Sequence, residues 1–224
     1  MVDGRIKMQK LNVIYEDNHI IVVEKPYGVP TQADVTNALD MQSMVKEYVK
    51  EKYNKPGNVF VGIVHRLDRN VGGIMVFART SKAASRLSEE IRSRRFKKTY
   101  LAWVNGKFKN KVGMFKDYLL KDEVKNLVKV VAKGVKDAKE AILDYEVIEE
   151  KEDMSLVKIN LHTGRSHQIR VQFSSRGHAL IGDKKYGGNE GNNISLWAYK
   201  VSFKHPVKDE IMEFVLEPND KFLI

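Results

Sequence analysis

The sequence predicts a single α+β domain, built on a mixed, mostly antiparallel β-sheet flanked by helices and loops. Short apolar or alternating runs typical of strands outnumber segments with helical spacing. The three helical segments are scattered between the strands, as in a sheet covered on its faces. The chain has 224 residues, 42% of them hydrophobic and 30% charged, and no low-complexity linker divides it. We therefore expect one domain over residues 1–224 with a sizeable core.

In the first half of the chain, short strands alternate with two helices. The strands are predicted from apolar runs bounded by turn residues, and the helices from apolar residues three or four positions apart. A loop with two prolines and a glycine interrupts the second strand. In chain order we expect strands at 11–15 and 20–23 joined by a turn at 16–18, the rigid loop 25–30, a helix at 38–53, a strand at 74–77, and a helix capped by Thr80 or Ser81 and ending near Arg95.

The second half is predicted to contain more strand than helix. Asn105-Gly106 is typical of a hairpin turn, and residues 107–139 are rich in lysine, which favours hairpin excursions that present charge to solvent. A helix is indicated where Ile169 and Phe173 form an inner i,i+4 pair and Gly177 suits the end. In order we expect strands at 98–104, 141–147 and 156–161, the last two joined by a turn at 149–153, a helix at 165–176, and strands at 195–203 and 211–216 joined around His205-Pro206.

Composition limits the class of protein. The net charge of +10 favours a polyanionic partner. The absence of cysteine excludes disulfides, thiol catalysis and cysteine-ligated zinc. Residues 1–7 form no apolar leader, and no stretch approaches the roughly 18 apolar residues of a membrane span. We expect a soluble, cytoplasmic protein with no membrane association.

Arginine is clustered, whereas lysine is spread along the chain. Arginine suits bidentate phosphate contacts and stacking on bases, so its clustering indicates a specific anion surface within a general basic field. The clusters are Arg66 and Arg69; Arg92, Arg94 and Arg95; and Arg165, Arg170 and Arg176.

The most distinctive residue is Asp68, which lies between Arg66 and Arg69 on a short loop. The glycine pair Gly72-Gly73 and a buried strand follow it. Loops braced by strands often carry functional side chains. The alternative is a solvated ion-pair cluster on the surface.

Two further features have two interpretations each, and two others argue against a metal site and a nucleotide-binding motif. The segment 163–170 follows a strand and opens a helix, so its first turn with Arg165 could bind an anion, or Thr163 could simply cap the helix. Tyr100 could stack on a base or be an ordinary strand aromatic. The histidines lack the spacing of a helical zinc site, and the glycine pair precedes its strand, unlike a dinucleotide or P-loop motif.

Together these motifs resemble the RluA-type family of RNA pseudouridine synthases. The resemblance covers about residues 11–217, with the motifs in the same order. It is carried by Ile14 to Asn18, Glu24 to Pro30, His65-Arg66-Leu67-Asp68, Lys98-Thr99-Tyr100-Leu101-Ala102-Trp103-Val104-Asn105-Gly106, Gly164-Arg165-Ser166-His167-Gln168-Ile169-Arg170, and Leu196-Trp197-Ala198 to His205-Pro206.

The resemblance implies a pseudouridine-synthase-like catalytic domain with a central RNA-binding cleft. It implies that Asp68 is the nucleophile that isomerises uridine in tRNA or rRNA, acting at C1′, at C6 or through a glycal. It places Arg165 in a salt bridge with Asp68, Tyr100 against the extruded base, and Arg66 in the gap that the base leaves. The remaining RNA contacts are expected from the same motifs and the arginine clusters: His65, Arg69, Arg92, Arg94, Arg95, His167, Gln168 and Arg170.

Isomerisation requires neither a metal nor a redox cofactor, so we expect no cofactor, and we expect a monomer. The chain has Val71-Gly72 where the family commonly has Thr-Ser, and we expect no small RNA-binding domain before Leu11.

Two other classes of protein remain open. A non-catalytic RNA-binding protein would explain the charge, but not an aspartate inside a basic loop. A metal-dependent nuclease would need Asp68, Glu89 and Asp183 to converge.

Overall fold

The computed structural model describes residues 11–33, 38–189, 191 and 193–222. Residues 1–7, from which the absence of a leader was inferred, lie outside these ranges. The helices are α1 (Met41–Lys52), α2 (Ser81–Arg92) and α3 (Gln168–Ser174), with a 3₁₀ turn at Lys184–Tyr186. The strands are β1 (Val13–Glu16), β2 (Ile20–Lys25), β3 (Gly62–Ile63), β4 (Gly72–Ala78), β5 (Lys97–Asn105), β6 (Val112–Asp122), β7 (Leu127–Val131), β8 (Lys139–Lys151), β9 (Met154–Leu161), β10 (Leu196–Lys204) and β11 (Ile211–Val215). None of the helices in these ranges is long and apolar enough to span a membrane.

The described strands form one sheet in the order β1-β2-β4-β10-β5-β9-β8-β6-β7. In addition, β11 pairs with β10 and β3 with β4. The β4–β10 pair is parallel, and the other described pairs are antiparallel. The predicted α+β class with a mixed, mostly antiparallel sheet is therefore confirmed.

Both faces of the sheet are covered near its centre. Strand β4 is buried along its whole length. Its Met75 and Phe77 pack into a core with α1 and α3, whereas Ile74 and Val76 pack on the other face with α2. Burial on both faces explains why β4 is a continuous apolar run rather than an alternating one.

The glycine pair has a steric cause. Gly72 and Gly73 open β4 where it runs parallel to Trp197 and Ala198 of β10. At Gly73 the backbone φ is 117°, and a Cβ would lie 2.3 Å from the carbonyl oxygen of Ala198. Only glycine fits this approach, which fixes the loop before it against β10.

Two predictions about how the strands after β5 connect and pair were wrong. Asn105-Gly106 does not open a hairpin, because β5 already has β9 and β10 as its neighbours. Strand β6 pairs with β8 instead, so the first part of the lysine-rich segment belongs to the main sheet. The hairpin expected within that segment is formed by β6 and β7.

The helix predicted at 165–176 is shorter than expected. It runs from Gln168 to Ser174, and His167 before it has the left-handed φ of 50°. Arg165 therefore lies outside the helix, and the anion-binding first turn suggested by the sequence does not form.

Candidate active site

Asp68 lies on the loop between β3 and β4, and its side chain is 33% exposed. The loop is held from within by Thr31. The Thr31 hydroxyl donates to the Leu67 carbonyl oxygen at 2.9 Å and accepts from the Leu67 N–H at 3.2 Å. The Val71 N–H closes a turn onto the Asp68 carbonyl at 3.0 Å. The backbone that carries the carboxylate is thus fixed on both sides.

A buried lysine supports the same loop. Lys25, at the end of β2, is 0% exposed. Its Nζ donates to the carbonyl oxygens of Pro26, Arg69 and Val71 at 3.0, 3.0 and 2.7 Å. Burial lowers the pKa of Lys25 to about 7, although the charge of Asp68 acts in the opposite direction. Lys25 therefore ties the start of the rigid proline loop to the loop of Asp68.

Arg170 forms the ion pair with Asp68. Its Nη1 donates to Asp68 Oδ2 at 3.1 Å. Its Nε and Nη2 donate to the two oxygens of Asp183 at 2.7 and 2.8 Å. Burial lowers the pKa of Arg170, but the hydrogen bonds and charges of Asp183 and Asp68 raise it more, so the pKa lies above its ordinary value. A buried guanidinium fixed by one carboxylate thus orients the other, partly exposed one.

The prediction that Arg165 pairs with Asp68 is wrong. Arg165 is exposed, and its Nε donates to the Glu140 carbonyl at 2.9 Å. The physical reason is the late start of α3, which directs Arg170 inward and leaves Arg165 on the preceding loop. The prediction that Arg170 contacts RNA is wrong for the same reason, since Arg170 is 7% exposed and its donors face two carboxylates.

His167 lies beside the nucleophile candidate. Its Nε2 is 3.9 Å from Asp68 Oδ2, and its Nδ1 is 2.7 Å from the Tyr186 hydroxyl. That hydroxyl accepts from the Val128 N–H at 2.9 Å, so its own proton is available to Nδ1. Burial lowers the pKa of His167, so the ring is neutral and Nε2–H faces Asp68. We therefore assign His167 to the surroundings of the carboxylate rather than to the RNA contacts expected from sequence.

Tyr100 occupies the centre of the sheet on β5, between β9 and β10. It is 6% exposed. Burial and the charge of Asp68 raise its pKa, so the phenol is protonated at neutral pH. The hydroxyl forms no hydrogen bond with any residue that the structure describes. A nearly buried hydroxyl without a protein partner close to Asp68 is available for substrate.

Two other expected RNA contacts are structural. The Val76 N–H donates to Nε2 of His65 at 3.0 Å, and burial lowers the pKa of His65 to about 3, so the ring is neutral. Gln168 is 3% exposed. Its Oε1 accepts from the Thr163 hydroxyl and the Arg165 N–H, and its Nε2 donates to the Ile142 carbonyl. Both side chains therefore hold the backbone around the site in place, and their contact with RNA stays a prediction.

The remaining predicted RNA contacts are exposed arginines. Arg66 and Arg69 flank Asp68, and Nε of Arg69 donates to the Gly28 carbonyl at 2.9 Å. The arginines at the end of α2 each pair with a carboxylate: Arg92 with Glu89 at 3.1 Å, Arg94 with Glu140 at 3.5 Å, and Arg95 with Glu90 at 2.8 Å. Their contact with RNA stays a prediction.

Two of the arginine clusters meet at one acidic residue. The Glu140 carboxylate is 3.5 Å from Arg94 and 3.4 Å from Lys116, and the Glu140 carbonyl accepts from Arg165. We call Arg94, Lys116, Arg165 and Glu140 the basic patch. Three cations that contact one glutamate leave an excess of positive charge on this surface.

Sequence reasoning missed Lys25, Asp183 and Tyr186. Lys25 stood in a recognised proline loop, but its burial has no sequence signal. Asp183 and Tyr186 lie in an irregular segment after α3, without periodicity to indicate what they face.

The nuclease alternative assigned Asp183 and Glu89 as metal ligands. Asp183 is engaged by Arg170 and Glu89 by Arg92, so neither joins Asp68 in a ligand set.

Comparison with known proteins defines the class. The family model described as RNA pseudouridylate synthase matches residues 19–175. An uncharacterized RNA pseudouridine synthase of Aquifex aeolicus is 34% identical, with 95% of this chain and 71% of that protein aligned. The ribosomal large subunit pseudouridine synthase C of Vibrio parahaemolyticus is 31% identical over 90% of this chain and 64% of that protein. The solved structure of human RNA pseudouridylate synthase domain containing 4 has a TM-score of 0.79 and 21% identity, covering 95% of this chain and 90% of the human one.

The chain therefore belongs to the RNA pseudouridylate synthase family. Its activity is that of an isomerase which converts uridine in RNA to pseudouridine. The class of protein indicated by the sequence is confirmed, and so is RNA as the partner.

Proposed function

We propose that Asp68 is the nucleophile of this isomerase and that ribosomal RNA is its substrate. The reaction breaks the C1′–N1 bond, turns the base and forms a C1′–C5 bond, while the proton on C5 is lost and N1 gains one. The observation that carries the proposal is the Asp68–Arg170–Asp183 arrangement. It holds a solvent-accessible carboxylate by a guanidinium that is itself buried.

The surroundings of Asp68 support this role. Arg170 holds one oxygen of the carboxylate, and the exposed third of the side chain leaves room for attack on the substrate. The neutral His167 donor at 3.9 Å adds no competing charge. A carboxylate oriented in this way meets a reacting atom with little reorganisation. These contacts would be difficult to explain in a protein that only binds RNA.

Tyr100 supplies the surface for the extruded base. A uridine stacked in an RNA helix hides its glycosidic bond, so the base must leave the stack, at a cost of a few kcal/mol. The ring of Tyr100 is close enough to Asp68 for the charge of Asp68 to raise the Tyr100 pKa. We propose that the base lies against this ring in the central cleft and that the hydroxyl serves in transfer of the C5 proton. Arg66, exposed and without an ion pair in the described ranges, fills the gap left in the RNA.

The assignment to ribosomal RNA is supported by the relatives whose names specify a ribosomal large subunit substrate. We further propose that the enzyme acts as a monomer in the cytoplasm. No redox change accompanies the isomerisation, so the chemistry needs no cofactor.

Tritium release from RNA labelled at C5 of uridine tests the proposal. Large-subunit ribosomal RNA and bulk tRNA, both from a strain lacking the gene, are offered separately in EDTA. Release from ribosomal RNA alone supports the proposed substrate. Release from tRNA alone would overturn that assignment, and absence of release from both would overturn catalysis by this chain. Shortened RNA that appears only with added metal would instead support a nuclease.

A further inference from the structure

Lys98 is a nearly buried cation on β5. It is 9% exposed, and its ammonium forms no hydrogen bond or ion pair with any residue in the described ranges. Burial lowers its pKa to about 8. Lysine is almost never buried without a partner, because an unpaired ammonium loses its hydration without compensation. Its position therefore requires an explanation outside the protein's own contacts.

Lys98 shares a face of β5 with Tyr100. The two residues are separated by one position, and side chains at i and i+2 of a strand point to the same side. The following residues of that face, Ala102 and Val104, belong to the core with Tyr100, whereas Leu101 and Trp103 pack on the opposite face. Lys98 thus lies along the sheet from the base-stacking position.

Among the residues that the structure describes, no carboxylate forms an ion pair with Lys98 or raises its pKa. A Cβ at Gly164 would lie 3.2 Å from Nζ, so the ammonium lies against the bare backbone of the β9–α3 loop. The His65 ring is neutral, because burial and the positive charge of Lys98 both lower its pKa. No acceptor among the described residues pairs with this ammonium, so it is available to a ligand.

The β9–α3 loop indicates in which direction an RNA backbone would continue from Lys98. Gly164 directly precedes Arg165, a member of the basic patch. A positive path therefore runs from Lys98 past Gly164 to Arg165, Lys116 and Arg94. Single-stranded nucleic acid is bound by grooves of this kind, in which cations follow the backbone while aromatic rings stack bases.

We propose that Lys98 binds the phosphate adjacent to the extruded uridine and that the basic patch binds the phosphates that follow. The inference rests on the proposed function for the identity of the base at Tyr100. The contact with phosphate itself depends only on RNA binding.

The test compares Lys98→Met with Lys97→Met. Methionine keeps the length of the side chain and removes the charge, and Lys97 is the exposed neighbour on the opposite face of β5. Fluorescence anisotropy measures the affinity for a ten-nucleotide oligouridylate between 50 and 300 mM salt. For Lys98→Met we expect about tenfold weaker binding at low salt and a log–log salt slope shallower by about 0.7, the value for one phosphate contact in a single strand. Lys97→Met should change affinity by less than about twofold.

Two further readouts make the result decisive. Lys98→Met should melt at or above the temperature of the unmodified protein, because an uncompensated buried charge is removed. A much lower melting temperature would show that Lys98 has a structural role and would overturn the proposal. An unchanged salt slope would also overturn it, including when tritium release falls. If Lys98→Met has the shallower slope but the unmodified protein releases no tritium, the phosphate contact is retained and the proposed function is rejected.

Discussion

Replacing Arg170 by glutamine should damage both the fold and the reaction. Arg170 is 7% and Asp183 is 1% exposed, and the substitution leaves the Asp183 carboxylate buried without its two donors. Breaking a buried ion pair from one side costs about 3–5 kcal/mol. In a protein of this size each kcal/mol shifts the melting temperature by about 2–4 °C, so we expect a decrease of about 6–20 °C.

The effect on catalysis comes from the second ion pair. Asp68 loses a charge-assisted hydrogen bond of 3.1 Å, worth about 1.5–3 kcal/mol. If that bond orients the carboxylate in the transition state, turnover at saturating RNA should fall about 10- to 150-fold. Thermal melting followed by circular dichroism measures the first effect. Tritium release, at a temperature where the variant is folded, measures the second.

Arg165→Gln is the matched control. Arg165 is exposed, so its variant should melt within about 2 °C of the unmodified protein and keep its turnover at saturating RNA. The reasoning would be refuted if Arg165→Gln lost as much turnover as Arg170→Gln, or if Arg170→Gln melted like the unmodified protein.

Three further changes test other parts of the site. Tyr100→Phe keeps the ring and removes a hydroxyl that has no hydrogen-bond partner among the described residues, so turnover should fall by about 10²–10⁴, and a loss within tenfold would restrict Tyr100 to stacking. The folded pKa of Lys25, about 7, lies below its ordinary value, so above pH 7 the unfolded chain binds more protons. Urea denaturation measures the free energy of unfolding of the unmodified protein and of Lys25→Met, and the difference between them should rise by about 2 kcal/mol in favour of the unmodified protein from pH 7 to pH 9. A difference that stays constant would show that Lys25 remains charged. Replacing Arg92, Arg94 and Arg95 together by glutamine should make the salt slope of RNA binding shallower by roughly 1–2 with turnover at saturation intact, and an unchanged slope would place the RNA elsewhere.

Much of the sheet could be predicted because burial leaves a pattern in the sequence. Strand β4 is a continuous apolar run because both of its faces are covered, and its ends are marked by Gly72 and by Arg79-Thr80. The helix after it begins as expected, with Thr80 as the cap. The pairing of β6 with β8 was missed, because a local turn signal at Asn105-Gly106 does not reveal that both edges of β5 are occupied by distant strands.

The choice between Arg165 and Arg170 depended on where one helix begins. The pair Ile169 and Phe173 correctly indicated the inner face of α3. The left-handed backbone at His167 delays the start of the helix. Histidine adopts this conformation more often than most residues, but still too rarely for the sequence to signal it. With the start three residues later than expected, the guanidinium next to Asp68 is Arg170. Resemblance between motifs identified the segment, and only the geometry identified the residue.

Partners that lie far apart in sequence carried no signal at all. Asp183 anchors Arg170, and Tyr186 contacts His167, from a segment without regular periodicity. Lys98 resembles any surface lysine of a basic chain until its burial is known. Local patterns reveal which face of an element is apolar, but they do not reveal which polar groups meet across the fold.

The central claim is that Asp68 acts as the nucleophile, and Asp68→Asn tests it most directly. Asparagine is nearly isosteric, so the loop held by Thr31 and Lys25 should persist, and loss of a negative charge should leave RNA binding unchanged or slightly tighter. A neutral amide cannot attack the sugar or the base, so tritium release should vanish while oligouridylate binding is retained. Measurable pseudouridine formation by Asp68→Asn, with mass spectrometry showing no reversion to aspartate, would contradict the account.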